Sequence, residues 1–293
     1  MVELLTRTSR LSKVDCCEAY RILSEMGDNP EFYEAQLTRH DPLYEELIRR
    51  TAVSLGARVL DLGTGTGPVA IKLARRVGPK GKVFGLDVNK KMLRSAKRKV
   101  AGLDLGNIEF KLMSMEDLRF PADSFDHVVS SYGICCCFHY DRTLKEAFRV
   151  LKSGGRITFS QDGPGRNPVR EVFYKVLSKY ETKQPSQILK KRREASALQE
   201  KMARRYQKVP PTLALMKKVG FSKCTCAIVK FKMDFSTPED YLDYALSDSY
   251  QFKEMTPQNC SKLKGECIQK LARFGGTGGF RAPEVTAYFS GVK

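Results

Sequence analysis

The residues best placed to do chemistry here are small ones. In Arg58-Val59-Leu60-Asp61-Leu62-Gly63-Thr64-Gly65-Thr66-Gly67 a short apolar run carries an acidic residue near its end, and three glycines then alternate with two threonines before a helical pattern begins. Glycine permits positive φ and close backbone approach, and the first turn of a helix offers unpaired N–H groups at a positive dipole end. Together they make a receiving point for a polar ligand. The spacing is G-x-G-x-G, which differs from the G-x-G-x-x-G of dinucleotide enzymes. About 20 residues on, Gly85-Leu86-Asp87-Val88 puts an acidic side chain at the end of the next apolar run, from where a carboxylate accepts both hydroxyls of a ribose. Capping the following helix is the plainer role open to Asp87.

Side chains able to move a proton are few. Of the three histidines, His40 and His139 stand with Tyr132 and Tyr140 in segments expected near strand ends or flaps, so these four are the candidate bases. Each is equally readable as a hydrogen-bonded surface or core residue. Nine cysteines, with the adjacent sets Cys16-Cys17 and Cys135-Cys136-Cys137, suit reduced thiols and a cytoplasmic setting. Three thiolates at 135–137 would suit a soft metal or arsenite. Adjacent residues of an extended segment point to opposite faces, however, and Cys224-Thr225-Cys226 lacks zinc-site spacing. No metal site is therefore expected, and the thiols read as packing.

The elements that must position these residues follow from periodicity. Residues 59–62, 83–86, 108–112, 127–130 and 156–160 read as central strands separated by helical patterns, the signature of βαβ units in a mainly parallel sheet. Helices are expected over 12–55, broken at Gly27-Asp28-Asn29-Pro30, and long polar helices over 164–211 with a thin apolar stripe. A strand at 224–233, helices at 238–247 and 257–274, a flexible Gly275–Gly279 turn and a last strand at 285–292 complete the chain. The expected division is a helical flap at 1–50, a core at 51–165, and cap insertions with the last core helix and strands at 166–293.

The net charge is +18, and residues 51–100 alone hold twelve basic against two acidic side chains, which helical spacing distributes over solvated faces. A second cluster, Lys190, Lys191, Arg192, Arg193, Arg204 and Arg205, would suit an anionic partner such as RNA or a membrane surface. No apolar run is long enough to span a bilayer.

Across roughly residues 45–162 the chain resembles the class I S-adenosylmethionine-dependent methyltransferases, and among them the menaquinone/ubiquinone-biosynthesis C-methyltransferases. The motifs carrying this are Val59–Gly67, Val77–Val83 running into Asp87–Leu93, Glu116-Asp117-Leu118-Arg119-Phe120-Pro121, Ser124-Phe125-Asp126, Ser131-Tyr132-Gly133-Ile134 and Arg149–Arg156. The resemblance implies an α/β fold, a Rossmann-like doubly wound seven-stranded sheet with its last strand antiparallel. It implies S-adenosylmethionine bound by Asp61, Gly63, Thr64, Gly65 and Thr66 at the methionine part, Asp87 on the ribose, Val88 and the Met115 backbone at adenine, and Ser131 at the sulfonium end. Ser114 stands where the family commonly has an acidic residue for the adenine amino group, a departure that places more on Met115. The family's N-terminal tyrosine–aspartate and tryptophan signatures have no match, and the chain has no tryptophan, so the resemblance leaves the acceptor open.

The expected function is methyl transfer to a small or lipid-like organic acceptor enclosed by helical caps. RNA methylation, a nucleic-acid- or membrane-binding role that keeps the fold as scaffold, and arsenite methylation are the alternatives.

Overall fold

The computed structural model describes residues 18–19, 21–23, 30–247, 252, 254–276 and 279–293. Cys16-Cys17 and the break expected at Gly27-Asp28-Asn29 lie outside them.

Five parallel strands come first: β1 (Arg58–Leu62), β2 (Lys82–Asp87), β3 (Ile108–Leu112), β4 (Phe125–Ser131) and β5 (Leu151–Asp162). Then follow β6 (Ser222–Phe235), the two-residue β7 (Gly275–Gly276) and β8 (Gly279–Val292). The order is β3-β2-β1-β4-β5-β8-β6, with β7 attached to β8, which runs antiparallel to both β5 and β6. The doubly wound Rossmann-like sheet of seven strands is thus present with a small eighth strand added. The segment expected as a flexible glycine turn is a hairpin instead, since Gly275 pairs with Phe280 and Gly276 with Gly279. Backbone hydrogen bonding needs no side chains, which is why a glycine run gave no strand signal.

Alternation along the strands builds a core on each face. Val59 and Val83 pack with Leu73, Ala74 and Val77 of α2 (Pro68–Val77) and Leu93 and Ala96 of α3 (Lys90–Ala101). Leu60, Leu62, Phe84 and Leu86 turn the other way onto Leu144 and Ala147 of α4 (Tyr140–Val150) and Leu215 and Met216 of α7 (Val209–Val219). A third core lies beyond the sheet. Arg281–Val285 of β8 pair only with β6, and Phe280 with β6 and β7, whereas Thr286–Val292 also pair with β5, so a ribbon of β6 and β8 projects past β5. Phe235, Phe280 and Ala282 on that ribbon pack with α5 (Pro168–Tyr180), α8 (Pro238–Ser247) and α9 (Pro257–Leu271) through Phe173, Leu242 and Leu263.

The N-terminal helix α1 (Pro30–Thr51) buries Leu43, Leu47 and Ile48 and turns acidic residues toward α2 and α3. Lys72 Nζ lies 2.8 Å from both Asp41 and Glu45, Arg76 2.9 Å from Glu45, and Lys99 2.9 Å from Glu34. The first basic cluster is therefore not only a solvated face: three of its cations fasten the flap. Lys72→Ala is expected to cost about 1 kcal/mol or less, because the group is partly exposed. Hydrogen exchange should then quicken in α1 while β1, β4 and β5 stay protected. Equal protection of α1 in the variant would mean that its apolar face alone holds it.

The second basic cluster spans α6 (Gln187–Ala203) and the 3-10 turn after it. Lys191 pairs with Glu18 at 3.3 Å and Arg193 with Glu181 at 3.1 Å, and the Arg205 guanidinium lies over the Tyr206 ring. These cations are spent inside the molecule, so the cluster is less of an anion-binding surface than its sequence suggested. Among the described residues no helix is long and apolar enough to cross a membrane.

Candidate functional site

The strands β1, β2, β4 and β5 end at one edge, and the glycine loop turns there. Gly63, Gly65 and Gly67 all have positive φ, at 70°, 56° and 83°. Their reasons differ. A Cβ on Gly63 would lie 3.0 Å from Gly133 Cα, and one on Gly67 would meet the Phe110 ring at 3.0 Å, so these two are required by packing. One on Gly65 would meet nothing within 4 Å. Gly65 therefore presents bare backbone to open space.

Polar groups fix this loop. Thr64 N donates to Leu86 O at 2.8 Å and Thr64 Oγ1 to Asp61 Oδ2 at 2.7 Å. Asp87 accepts from Gly65 N at 2.9 Å through Oδ2 and from Asn89 N at 2.8 Å through Oδ1. The cap of α3 is Asn89, whose side chain accepts from Lys91 N and Met92 N. Asp87 is thus not the helix cap. It ties the glycine loop to the end of β2.

A small open cleft of about 80 Å³ lies beside the loop, lined by Leu37, Tyr44, Asp61, Gly63, Thr64, Gly65, Thr66, Pro68, Val69 and Ser131. Six residues expected from sequence meet here: Asp61, Gly63, Thr64, Gly65, Thr66 and Ser131. Four others do not line it: Asp87 stands behind the loop, bonded to Gly65 N, and the remaining three lie elsewhere. Val88 is half-buried, the Met115 side chain is buried with its Cε near Gly63, and Ser114 Oγ accepts from Glu116 N at 3.1 Å in a turn. Two further lining residues, not singled out in the sequence, come from the segment expected as a helical flap. Leu37 and Tyr44 come from α1, seven residues apart on one helical face, and that spacing was the available signal.

Burial pushes the Asp61 carboxyl up to about 7, helped by the nearby Asp87 charge and opposed by the Thr64 hydroxyl and the Ala70 N–H. With the folded value above the unfolded one, the native state holds the extra proton between about pH 4 and 7. Stability contributed by this proton is present at the acid end of that window and lost as pH rises through 7. Asp61→Asn is therefore expected to stabilise the ligand-free protein relative to wild type increasingly from pH 4 to 7, then by a constant amount. Denaturation midpoints at several pH values check this, and a pH-independent difference would sink it.

None of the four candidate bases is among the lining residues. Tyr132 has φ 53° and its hydroxyl shares a hydrogen bond with Thr286 Oγ1 at 2.7 Å. Tyr140 is buried, donates to Gln161 Oε1 at 2.6 Å and stacks on Tyr206. His139 Nδ1 lies 2.7 Å from Glu116 Oε2, and Oε1 of the same carboxylate accepts from Phe138 N and His139 N at the start of α4. These roles are structural. His40 sits one helical turn before Tyr44, with its ring 3.4 Å from the Tyr244 hydroxyl. Burial, with the Arg39 charge, lowers its pKa to about 4, so it is neutral near pH 7.

Cys135 and Cys136 lie in a 3-10 turn (Ile134–Cys136) and not in the extended segment expected. Their sulfurs are 4.0 Å apart, while Cys137 is buried. Among the described residues, no group of three or more His, Cys, Asp or Glu is arranged to hold a metal ion. A three-thiolate arsenite site is not built there.

Comparison with known proteins now adds to this geometry. The ubiE/COQ5 methyltransferase family matches residues 35–231. The demethylmenaquinone methyltransferase of Geobacillus kaustophilus is 37% identical over 137 residues, 46% of this chain and 58% of that protein. The ubiquinone/menaquinone biosynthesis C-methyltransferase UbiE of Rickettsia bellii is 34% identical over 140 residues, 46% of this chain and 56% of its own. The chain thus spans a little over half the length of these curated relatives. In fold it is similar to the YcgJ protein of Bacillus subtilis, with TM-score 0.56 and 16% identity over 87% of this chain and 99% of that one. It is also similar to a phosphoethanolamine N-methyltransferase 2 of Haemonchus contortus in complex with S-adenosyl-L-methionine, with TM-score 0.53 and 18% identity over 96% of this chain and 58% of that one.

Proposed function

Because the chain belongs to the ubiE/COQ5 methyltransferase family, we propose that it is an S-adenosylmethionine-dependent methyltransferase acting on a small or lipid-like organic acceptor. The observation that carries this reading is the Gly65 N–H bonded to Asp87 Oδ2 beside a cleft into which Gly65 puts no side chain. The residues present fit the cofactor. Bare backbone for close approach and a buried acid with Thr64 for a polar head meet at one opening, and the acidic group for the ribose is bonded to the same loop.

When bound, the cofactor supplies a methyl group on a sulfonium, open to in-line displacement. The chain's task is then binding, orientation and exclusion of water. Asp87 is the acceptor for the ribose hydroxyls, and Asp61 takes up its charged form when an ammonium lies beside it. Ser131 flanks the opening from the end of β4, and Leu37 and Tyr44 roof it. His40, neutral near pH 7, sits one helical turn before Tyr44 and brings no charge to the neighbourhood of the roof.

The acceptor is selected by the side chains beside the roof. The aromatic group His40, Tyr44, Tyr244, Phe235 and Tyr241 adjoins the roof, which suits an apolar ring, and the names of the curated relatives make a demethylated quinol the first compound to try. Titration calorimetry with S-adenosylhomocysteine is expected to show one site. Absence of heat at millimolar ligand would remove the cofactor reading. Mass spectrometry of a demethylated quinol incubated with protein and cofactor tests the acceptor separately, and no mass gain with intact cofactor binding would exclude the quinol alone.

A further inference from the structure

The turn after β4 brings two thiols side by side with nothing in the proposed transfer requiring them. Cys135 Sγ donates to Tyr132 O at 3.2 Å and Cys136 Sγ to the same carbonyl at 3.5 Å, with the sulfurs 4.0 Å apart. Backbone bonds from Cys136 N to Gly133 O at 2.9 Å and from Cys137 N to Ile134 O at 3.2 Å hold the turn. Ser130 Oγ anchors it by accepting from Ile134 N, and Gln199 Nε2 donates to Cys136 O. Cys136 is exposed, which gives access, and Cys137 faces the core.

We propose that Cys135 and Cys136 form a two-thiol clamp for a monosubstituted trivalent arsenical. Thiolates favour soft, thiophilic centres. An arsenic carrying one organic group and one oxide has two positions to give to sulfur, and two thiols converge here. A linear two-coordinate ion would instead need thiols facing one another from opposite sides, whereas these two point at a common carbonyl. The step balances without an oxidant: two As–S bonds form, the arsenic–oxygen bond breaks, and the oxygen leaves as water with the two thiol protons. Arsenic remains trivalent. Because the turn is already held, little ordering is required on capture. This site is independent of the cofactor reading and stands or falls separately from it.

The test uses the full chain carrying Cys16→Ser and Cys17→Ser, which removes the other adjacent pair, with phenylarsine oxide as probe. Intact-mass analysis is expected to show one phenylarsenic group that survives excess 2-mercaptoethanol and is stripped by 2,3-dimercaptopropanol. Cys135→Ser or Cys136→Ser should each weaken retention by roughly a hundredfold, the usual scale of lost bidentate attachment, while Cys137→Ser retains the adduct. Arsenic K-edge absorption on the parent protein gives a second readout independent of whether Cys135→Ser folds, and two sulfur neighbours and one carbon are expected. Full retention in either single serine variant, loss in a folded Cys137→Ser protein, or three sulfurs around arsenic would each overturn the proposal.

Discussion

Asp87→Ala is expected to weaken S-adenosylhomocysteine binding by roughly a hundredfold, about 3 kcal/mol, the cost of removing a charged acceptor that serves several donors. Two losses combine. The ribose hydroxyls lose their acceptor, and the Gly65 and Asn89 N–H groups lose the carboxylate that holds the loop against β2. Asp87→Asn separates them, since its amide oxygen can still accept one of these bonds while the charge is gone, so an intermediate affinity is expected. Thermal stability should change little in either variant because the carboxylate lies at a half-buried rim. Calorimetric titration checks the order wild type, Asn, Ala. An Ala variant within threefold of wild type would remove Asp87 from the ligand's surroundings.

The largest expected stability effect lies elsewhere, at Gly133. A Cβ there would be 2.5 Å from Leu62 O and 2.6 Å from Ser130 Oγ. Those two atoms are themselves hydrogen-bonded at 2.7 Å, and Ser130 Oγ also accepts from Ile134 N at 3.1 Å. Ser130 is fully buried, so a methyl group either opens this node or pushes β4 away from β1. Overpacking plus a buried polar group left unpaired gives about 3 kcal/mol or more for Gly133→Ala. Urea denaturation should show the midpoint falling with an unchanged slope. Gly65→Ala is the informative contrast. Its added methyl meets open space, so only the left-handed backbone costs stability, about 1 kcal/mol, yet the methyl enters the cleft and ligand affinity should fall far more than stability. Similar loss in both properties for the two variants would contradict the different duties assigned to these glycines.

The core was legible because its signals are local. Val59–Leu62 and Val83–Leu86 declare buried strands by composition, and G-x-G-x-G followed by Asp87 states a ligand geometry by spacing alone. What escaped depended on distant partners. Nothing near Lys72 or Lys99 in the chain announces that Asp41, Glu45 and Glu34 will neutralise them. Tyr44 reaches the cleft only because α1 folds back over the loop. The Cys135–Cys136 pair was misjudged because a 3-10 turn replaces the extended conformation, and that turn is fixed by Ser130 and Gln199 and not by its own residue types. Tyr140 and His139 stand out in the sequence by residue type alone, and their hydrogen bonds to Gln161 and Glu116 are again made by partners distant in the chain.

The ribbon formed by Phe280–Val285 and its partners in β6 extends past β5 and carries a core of its own. Its helices therefore rest on two strands that the parallel sheet does not need for its own closure. Changes confined to this cantilevered arm would leave the hydrogen bonds of the glycine loop untouched, so the overhang and the cleft can be altered separately.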